Sequence, residues 1–473
     1  MTEPTSVVCL EWAGQFSDRD RQRDHPFSFL VPVDASRLLL RFSYEPGTVG
    51  DFRNLLTLSL FDPRGFRGAA HRGQVDQDIS ISSNVATPGF LPGPVDPGRW
   101  TAELHAHEIL NSGGQSGWCK VTLTVVAELD GGAPRASARP GTRDPRDNPS
   151  VPRRVNRRTD WYRGDLHSHS VHCDGSSTIA EMGQAAVQIG LDFLATTCHN
   201  TTSGWMVEVP WPERLLWIRG IECTTYWGHA NILGTSAWVD WRMPRATVTQ
   251  AITAQAARQN AVVVINHPAA IGNPLCTGCT WEGSLEDIQG IDAIEVWNSR
   301  WRTQDARNPA ALALWTDLLN LGHRVAAVAG TDSHAVEDYA DRALPYTSVY
   351  SAGLGEADIL DALRRGRANL SSGAGLAFRA RGADGEEATL PGDCLTLDGP
   401  MHLDVSVRSL ASDATLWCVA DGVPQRLGHL GAGDAVVTAD ATADRWWRLE
   451  LRAGNDVEDD LLFLTNPVYI VGG

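Results

Sequence analysis

The first part of the chain alternates apolar and polar positions with the period of a β-strand. In the segments 37–42 and 55–60 an apolar side chain occurs at every second residue, and the turn sequence Asp62-Pro63-Arg64-Gly65 follows the second segment. Short alternating runs separated by such turns are typical of antiparallel β domains. The pattern therefore predicts an N-terminal β-sandwich-like domain over residues 1–130.

The rest of the chain divides into a linker and two further domains. Residues 131–160 are rich in glycine and proline, contain eight arginines and have no apolar period, which predicts a solvated linker. Residues 161–375 alternate strand-like and helix-like segments, including the capping-box sequence Thr178–Glu181, and so predict a mainly parallel α/β sheet or barrel. Residues 376–473 return to short strand-like runs, which predict a C-terminal β domain.

Composition and charge narrow the class of protein. The chain has 473 residues and a formal net charge of −17, which argues against a non-specific nucleic-acid binder because such proteins present a basic surface. No run approaches the ~20 apolar residues of a membrane span, and the first residues lack the features of a signal peptide. We therefore expect a cytoplasmic protein that acts on a small molecule, with no nucleic-acid or membrane partner.

The nine cysteines are scattered along the chain, and without a secretion signal we expect reduced thiols. Only Cys276 and Cys279 have CxxC spacing. A plain turn is the simplest interpretation of this pair, because a zinc knuckle needs a second pair nearby. A local metal or redox role is the alternative.

Six apolar segments of the 161–375 region share the same kind of ending. Each is followed at its carboxyl end by histidine, aspartate or glutamate, and in a βα barrel active sites are built on that face. The residues at these ends are His167, His169, His199, Glu222, His267, Glu295, Asp332 and His334. Their placement predicts that they meet in one site.

Imidazole and carboxylate groups without thiolates are typical ligands of zinc, manganese or iron. His167 and His169 are two residues apart on an extended segment, so both rings project to one side, and Asp332 and His334 repeat this spacing. The eight candidate ligands are His167, His169, Asp174, His199, Glu222, His267, Asp332 and His334. One ion needs only three or four ligands, so we expect two or three divalent ions, with Glu222 able to bridge two of them.

A single HxH pair is a weak signal, since His105 and His107 in the N-terminal domain form another. We interpret those two histidines as ordinary residues on the face of a strand.

A set of motifs in the 161–375 region is more specific. These are Asp165-Leu166-His167-Ser168-His169-Ser170, Cys173-Asp174-Gly175, Cys198-His199-Asn200, Glu222, His267-Pro268 and Gly330-Thr331-Asp332-Ser333-His334. Together they resemble the PHP (polymerase and histidinol phosphatase) superfamily of metal-dependent hydrolases. The segments 228–231 and 295–298 most resemble its CehA/McbA branch.

The resemblance implies a multidomain α/β + β protein, in which a distorted (β/α)7 barrel is flanked by the N-terminal and C-terminal β-sandwich-like domains. It also implies a dinuclear or trinuclear centre. One ion is held by His167, His169, Glu222 and Asp332, a second by Glu222 and His267 with Glu295 as a further candidate, and a third by Asp174, His199 and His334. Glu295 could equally be a buried carboxylate bound to backbone amides.

Two positions in these motifs have more than one interpretation. The family usually has aspartate where this chain has Cys198, which is either a small buried side chain or a thiolate ligand. This departure puts full occupancy of the third metal position in question. We interpret His229 as a catalytic residue that contacts the leaving group, with a role as metal ligand as the alternative.

The implied chemistry is hydrolysis by a metal-activated water. A phosphoester is the first expectation for the substrate, and a carbamate or carboxylic ester, after which the CehA/McbA branch is named, is the alternative. Arg342 is the cation that we expect to bind a phosphate, and Trp297 and Asn298 are expected beside the substrate. A non-catalytic binding protein with a degenerate site is the alternative from another class.

Overall fold

The computed structural model describes residues 5–110, 117–130, 153–206, 210–285, 288–303, 305–341, 343–382 and 385–471. Residues 131–152 of the predicted linker lie outside the described residues. The protein is mostly β, with 48% of its residues in strands and 14% in helices. None of the helices in the described ranges is long and apolar enough to cross a membrane.

The N-terminal region consists of two antiparallel sheets packed face to face. Its strands are β1 (Thr5–Ser17), β2 (Arg23–Val31), β3 (Ala35–Glu45), β4 (Thr48–Val49), β5 (Phe52–Arg53), β6 (Leu55–Asp62), β7 (Gly65–Ala70), β8 (Asp76–Ser82), β9 (Gly98–Glu108) and β10 (Trp118–Leu129). The sheets have the orders β1-β10-β3-β8 and β2-β9-β6-β7. Leu38, Leu40 and Phe42 of one sheet and Leu58 and Leu60 of the other are buried in a shared core, as expected for alternating strands.

The central region carries most of the helices. Its elements are β11 (Arg154–Asn156), β12 (Asp160–Asp165), α1 (Ile179–Gln188), β13 (Phe193–Thr196), α2 (Ser203–Met206), β14 (Leu216–Thr225), β15 (Gly228–Leu233), α3 (Val248–Ala257), β16 (Val262–Ile265), β17 (Ala293–Asn298), α4 (Arg307–Asn320), β18 (Ala326–Gly330), β19 (Tyr346–Ser351), β20 (Leu354–Gly355), α5 (Glu356–Arg364) and β21 (Ala368–Ser371). The predicted capping box is present at the start of α1, where Thr178 and Glu181 exchange hydrogen bonds.

The central strands follow the order β18-β17-β16-β15-β14-β13-β12-β19-β21. The carboxyl ends of β12 and β18 nevertheless lie side by side, because the Asp332 amide donates to the His167 carbonyl at 2.9 Å and the His169 amide donates to the Ser333 carbonyl at 2.8 Å. The strands thus curve round until the two ends meet. The (β/α)7 barrel stays a prediction, because β14 and β15 form an antiparallel hairpin rather than a strand–helix unit.

The C-terminal region continues the central sheet. Its strands are β22 (Gly375–Arg381), β23 (Glu387–Ala388), β24 (Cys394–Thr396), β25 (Met401–Leu410), β26 (Ala414–Ala420), β27 (Val423–Leu430), β28 (Gly433–Ala441), β29 (Trp446–Ala453), β30 (Leu461–Thr465) and β31 (Val468–Val471). Because β21 pairs with β30, one 15-stranded sheet crosses the predicted boundary at 375/376. Asn466 reinforces this junction, accepting from the Ala327 amide at 2.6 Å and donating to the Ala368 carbonyl at 2.9 Å.

Candidate metal centre

The predicted ligands are brought together at the carboxyl ends of the central strands. His167 and His169 follow β12, His199 follows β13, and Glu222 lies within β14. His267 and Asp332 occupy the left-handed region of backbone space, with φ of 27° and 56°. Non-glycine residues adopt that conformation at a cost of order 1–3 kcal/mol, and such strain clusters at functional sites.

Glu222 is at the middle of the group and is fully buried. Its Oε2 atom lies 3.4 Å from His167 Nε2, 3.3 Å from His169 Nε2 and 2.9 Å from His199 Nδ1. Its Oε1 atom lies 3.2 Å from His229 Nδ1 and 3.5 Å from His267 Nε2. Each carboxylate oxygen therefore faces a different set of imidazoles, which is the arrangement expected of a carboxylate that bridges two cations.

Ligand atoms fall into groups within 4.8 Å of one another, and the groups share members. They are His167 with His169 and Glu222; His167 with His267 and Asp332; His169 with Asp174, His199 and His334; and His229 with His267 and Cys279. All eight ligands that were expected from residue type and placement are included. The structure thus brings them together as predicted, in sites that adjoin through Glu222.

Several of these atoms are buried without a hydrogen-bond partner within the described ranges, as expected of atoms that bind a cation. His167 Nε2, His169 Nε2, Glu222 Oε2 and His267 Nδ1 are buried and have no hydrogen-bond partner among the described residues. Buried polar atoms without partners are costly, and a divalent ion would satisfy the first three of these atoms. The donor set of imidazole and carboxylate fits zinc, manganese or iron.

Electrostatics keep the carboxylates ionised. Burial by itself raises the pKa of Glu222, but the adjacent His167 and His199 hold that pKa well below its usual range. Burial lowers the pKa of His334, but the Asp174 carboxylate and its neighbours raise it to about 10. A cation bound at such an imidazole would take the place of its proton.

His229 has the orientation of a ligand. Its Nε2 atom lies 3.2 Å from the Thr277 carbonyl, which is a hydrogen-bond acceptor, so this nitrogen carries the proton. The other nitrogen, Nδ1, is then the free base, and it faces Glu222. A ligand histidine typically donates its second N–H to such an acceptor. The geometry favours the ligand alternative over contact with the leaving group.

Glu295 lies behind the ligands rather than among them. Its Oε1 atom is 3.0 Å from His167 Nδ1, and its Oε2 atom accepts the His267 amide at 2.9 Å. Glu295 belongs to none of the ligand groups in the described part of the chain, which supports the alternative of a buried carboxylate that accepts a backbone amide. It orients His167 so that Nε2 faces the centre. A side chain at Gly330 would displace it, since a Cβ atom there would lie 2.3 Å from Glu295 Oε1.

Replacing Glu295 by glutamine is expected to lower metal affinity or activity by about 10–100-fold. The glutamine amide would place a donor where one carboxylate oxygen now accepts. The hydrogen bond with His167 or the one from the His267 amide is therefore lost. Isothermal titration calorimetry with the metal measures the change in affinity. A loss as complete as that of a ligand variant would instead assign Glu295 to the metal.

Two expected substrate residues lie away from the cavity. Trp297 is 1% exposed and packs against Trp301 in the hydrophobic core. Asn298 donates to Glu295 at 3.2 Å, and its amide donates to Asn308 at 2.9 Å. Both expectations of substrate contact are therefore corrected, because both side chains are buried on the protein side of the ligands. Arg342 lies outside the described residues.

The cysteines comprise a bonded pair and seven free thiols, five of which are buried. Cys276 and Cys279 form a disulfide, so the expectation of a plain turn with reduced thiols is wrong for this pair. The Cys279 sulfur is near His229 and His267 but is occupied by that bond, and we do not count it as a ligand. Cys198 is 3% exposed and lies 3.1 Å from the Ser170 hydroxyl, outside the ligand groups found in the described segments. Its placement supports the small buried side chain of the two interpretations.

Asp165 and Asn266 support the centre and were not singled out from the sequence. Asp165 accepts the amides of His167 at 3.1 Å and Thr331 at 3.0 Å, which ties together the two loops that carry ligands. Asn266 donates to Glu222 Oε1 at 2.9 Å. Asp165 opens the motif that contains His167, and Asn266 directly precedes His267; these positions are the signal that could have identified them.

A cavity of ≈ 560 Å³ opens onto the centre. Asp174, His199, Glu222, His229, His267, Asp332 and His334 form its floor, and the residues around them are Arg53, Leu55, His71, Arg72, Gly73, Gln74, Pro274, Leu275, Cys276, Thr277 and Cys279. The arrangement can hold adjacent cations beneath a space large enough for a small molecule.

No family model matches the chain, and no curated protein matches it. Among solved structures, a two-domain protein containing a predicted PHP-like metal-dependent phosphoesterase from Bacteroides vulgatus ATCC 8482 is 16% identical, with a TM-score of 0.39, over 68% of this chain and 98% of its own. A proposed metal-dependent phosphoesterase from Bifidobacterium adolescentis ATCC 15703 is 17% identical, with a TM-score of 0.25, over 36% of this chain and 87% of its own.

An amidohydrolase from Chromobacterium violaceum, solved with bound sulfate and no metal, is 16% identical, with a TM-score of 0.26, over 36% of this chain and 87% of its own. The CehA/McbA branch stays a prediction. The solved structures to which this chain is similar are thus proposed or predicted metal-dependent phosphoesterases, one of them described as PHP-like, and an amidohydrolase.

Proposed function

We propose that this chain is a metal-dependent hydrolase that cleaves small phosphoesters at a centre of two or three divalent ions. The observation that carries the proposal is the approach of five imidazoles to the carboxylate of the buried Glu222. A structural role alone does not account for so many adjacent titratable groups at the floor of a cavity, because burying them without a cation is costly.

The ligand groups suggest three positions. The first would use His167, His169, Glu222 and Asp332; the second Glu222, His229 and His267; and the third Asp174, His199 and His334. Glu222 is common to the first two, so one carboxylate would set the spacing between two ions. His229 enters this scheme as a ligand on the strength of its contact with the Thr277 carbonyl.

Divalent ions at these positions would lower the pKa of a water molecule towards neutrality and stabilise negative charge on the reacting ester. The chain's own residues fix where that chemistry takes place. Glu295 and Asp165 hold the His167 segment from behind, and Asn266 fixes the Glu222 carboxylate. The ligands are therefore pre-organised, so little reorganisation is needed when a substrate arrives.

The lining of the cavity favours a phosphoester over an aryl carbamate. Two arginines, Arg53 and Arg72, contribute to the described part of this lining, and no tryptophan does. Trp297, which was expected beside the substrate, is in the core. Guanidinium groups suit the oxygens of a phosphate, whereas an aryl group would need apolar walls.

The finer fold belongs to the same proposal. We assign the central strands β12–β18 to a distorted PHP-type barrel, in which the β14–β15 hairpin interrupts the alternation of strands and helices. Support comes from the contact between the ends of β12 and β18. On the basis of the motifs, we also assign the chain to the CehA/McbA branch of the superfamily.

Reporter hydrolysis tests the proposal. The full chain, supplemented with zinc or manganese, is assayed with an aryl phosphate, a bis-aryl phosphate, an aryl carbamate and an aryl carboxylic ester. We expect cleavage of a phosphate reporter. Cleavage of only the carbamate or carboxylic ester would replace the phosphoester assignment with the CehA/McbA-type alternative. Inertness towards all four, with less than one ion per chain, would favour a non-catalytic binding protein.

A further inference from the structure

The N-terminal sandwich forms one wall of the cavity above the metal centre. The segment that follows β7 contributes His71, Arg72, Gly73 and Gln74 to the lining, and Arg53 belongs to β5 of the same domain. The His71 ring lies 4.5 Å from the ring of His199, centroid to centroid. A domain that is remote from the active-site motifs in sequence therefore touches a proposed ligand.

Apolar and polar contacts fix this wall against the central region. The ring of Phe66, in β7, stacks on Trp238 with centroids 4.4 Å apart and planes 6° from parallel. The Tyr226 hydroxyl donates to Asp24 at 2.8 Å. Arg242 of the central region also forms an ion pair with Glu103 of the sandwich. These contacts pack the sandwich against the central region, so the wall is held in place.

Gly89 brings the two backbones together next to Arg72. Its carbonyl accepts from the Thr201 hydroxyl at 2.7 Å, and its amide donates to the Ser203 hydroxyl at 3.0 Å. Its φ of +96° favours glycine, and a Cβ atom here would lie only 2.4 Å from the Ala69 carbonyl oxygen. This close approach positions the segment 69–72 beside the ligand loops.

Arg72 is anchored at one end of its guanidinium and unsatisfied at another. Its Nη2 atom donates to the carbonyls of Pro88 and Val171, the second at 3.3 Å. Its Nε atom is buried and has no hydrogen-bond partner in the part of the chain that the structure describes. Burial disfavours the charged form and lowers the pKa of Arg72, and the acidic groups nearby, including Asp174, only partly offset this.

Arg53 lies beside it. A Cβ atom on Gly73, the residue after Arg72, would be 2.9 Å from Arg53 Nη1. Within the described ranges, neither arginine forms an ion pair with a carboxylate. Two such guanidinium groups line one cavity of a chain whose net charge is −17. A bound oxyanion would pair with both guanidinium groups.

We infer that Arg72, assisted by Arg53, binds an anionic oxygen of the substrate opposite the metal centre, so that the N-terminal sandwich is a substrate-binding part of the active site. The identification of the anion as phosphate rests on the proposed function. The class of ligand is a compact oxyanion with one face towards the metal ligands and one towards the guanidinium groups.

Isothermal titration calorimetry of the metal-loaded full chain with inorganic phosphate tests this inference without needing turnover. Arg72→Gln is expected to weaken phosphate binding by about 10-fold or more, because a hydrogen bond to a charged group is lost. Arg53→Gln should give a smaller loss in the same direction. The matched control is Arg37→Gln, an exposed arginine of the same domain that pairs with Glu128, and it should leave phosphate binding unchanged.

Metal content and KM complete the experiment. Support requires that Arg72→Gln keeps the wild-type metal content, and that KM for any cleaved phosphate reporter rises in parallel with the loss of phosphate affinity. Equal phosphate affinity in wild type and Arg72→Gln would overturn the inference, as would an unaltered protein that does not bind phosphate. Loss of metal in Arg72→Gln would also overturn it, because Arg72 would then merely hold the ligand segment near Val171.

If Arg72→Gln does not fold, the variant of the exposed Arg53 provides the test. Unchanged phosphate affinity in Arg53→Gln overturns the inference, and a loss of affinity supports it. Failure of the proposed function gives a different result. A wild type that cleaves no phosphate reporter but binds phosphate through Arg72 would reject the reaction and keep the anion site.

Discussion

Replacing Glu222 by glutamine is expected to lower the rate of hydrolysis by on the order of 10³-fold or more and to remove at least one metal ion from each chain. The side chain keeps its size, so packing is preserved. It loses its charge, however, and one of its two oxygens becomes an amide nitrogen that cannot bind a cation. Because the imidazoles on both sides of Glu222 depend on this carboxylate, both adjoining positions are weakened at once.

Two other glutamates provide controls for this variant. Glu337→Gln changes an exposed residue of the loop after Asp332 and should leave both rate and metal content unchanged. Glu295→Gln should be intermediate, since Glu295 orients a ligand without being one. Thermal unfolding establishes that each variant is folded. Normal turnover in Glu222→Gln, at normal metal content, would contradict the assignment of Glu222 as a bridge between two ions.

Chelation of the metal is expected to reduce hydrolysis to background, and addition of zinc or manganese should restore it. The same treatment should lower the melting temperature. Free metal at about 100-fold above its dissociation constant stabilises a folded protein by about 3 kcal/mol, which for a domain of this size corresponds to a shift of about 5–10 °C. The physical reason is that the buried carboxylates and imidazoles of the centre lose the cation that satisfies them.

The Glu222→Gln variant is the control for the thermal measurement, because its melting temperature should respond much less to added metal. Differential scanning calorimetry with and without a chelator measures both proteins. Full hydrolysis by a protein shown to contain less than one ion per chain would contradict the account, since no other nucleophile is assigned.

Most of the ligands could be predicted from the sequence because each follows a short apolar run. That arrangement is local, so position and residue type alone identify His167, His199 and His267 as neighbours in space. The choice between ligand and supporting residue was not local. Glu295 also follows an apolar run, yet its side chain lies behind His167, and only the packed structure shows this placement.

Contacts between distant segments explain most of the remaining differences. His71 reaches His199 across a long separation in sequence, and no periodicity links the two residues. His107, interpreted as an ordinary strand residue, packs against Tyr226 and Trp241 of the central region. Sequence periodicity predicts which face of a strand is buried, but not which domain covers it.

The central sheet was predicted less well than the site. The apolar segments were located, but β14 and β15 pair as a hairpin where the alternation suggested parallel strands. Gly228, which has a φ of +145°, permits the tight turn between them. The continuation of the sheet through β21 and β30 depends on pairing between segments about 100 residues apart, and strand patterns do not encode such partners.

The number of metal ions per chain is the most direct test of the central claim. Elemental analysis of the purified full chain after supplementation with zinc or manganese is compared with the same analysis of Glu222→Gln. The account predicts two or three ions in the wild type and at least one fewer in the variant. Less than one ion per chain in the wild type, or the same content in both proteins, would contradict a centre organised around Glu222.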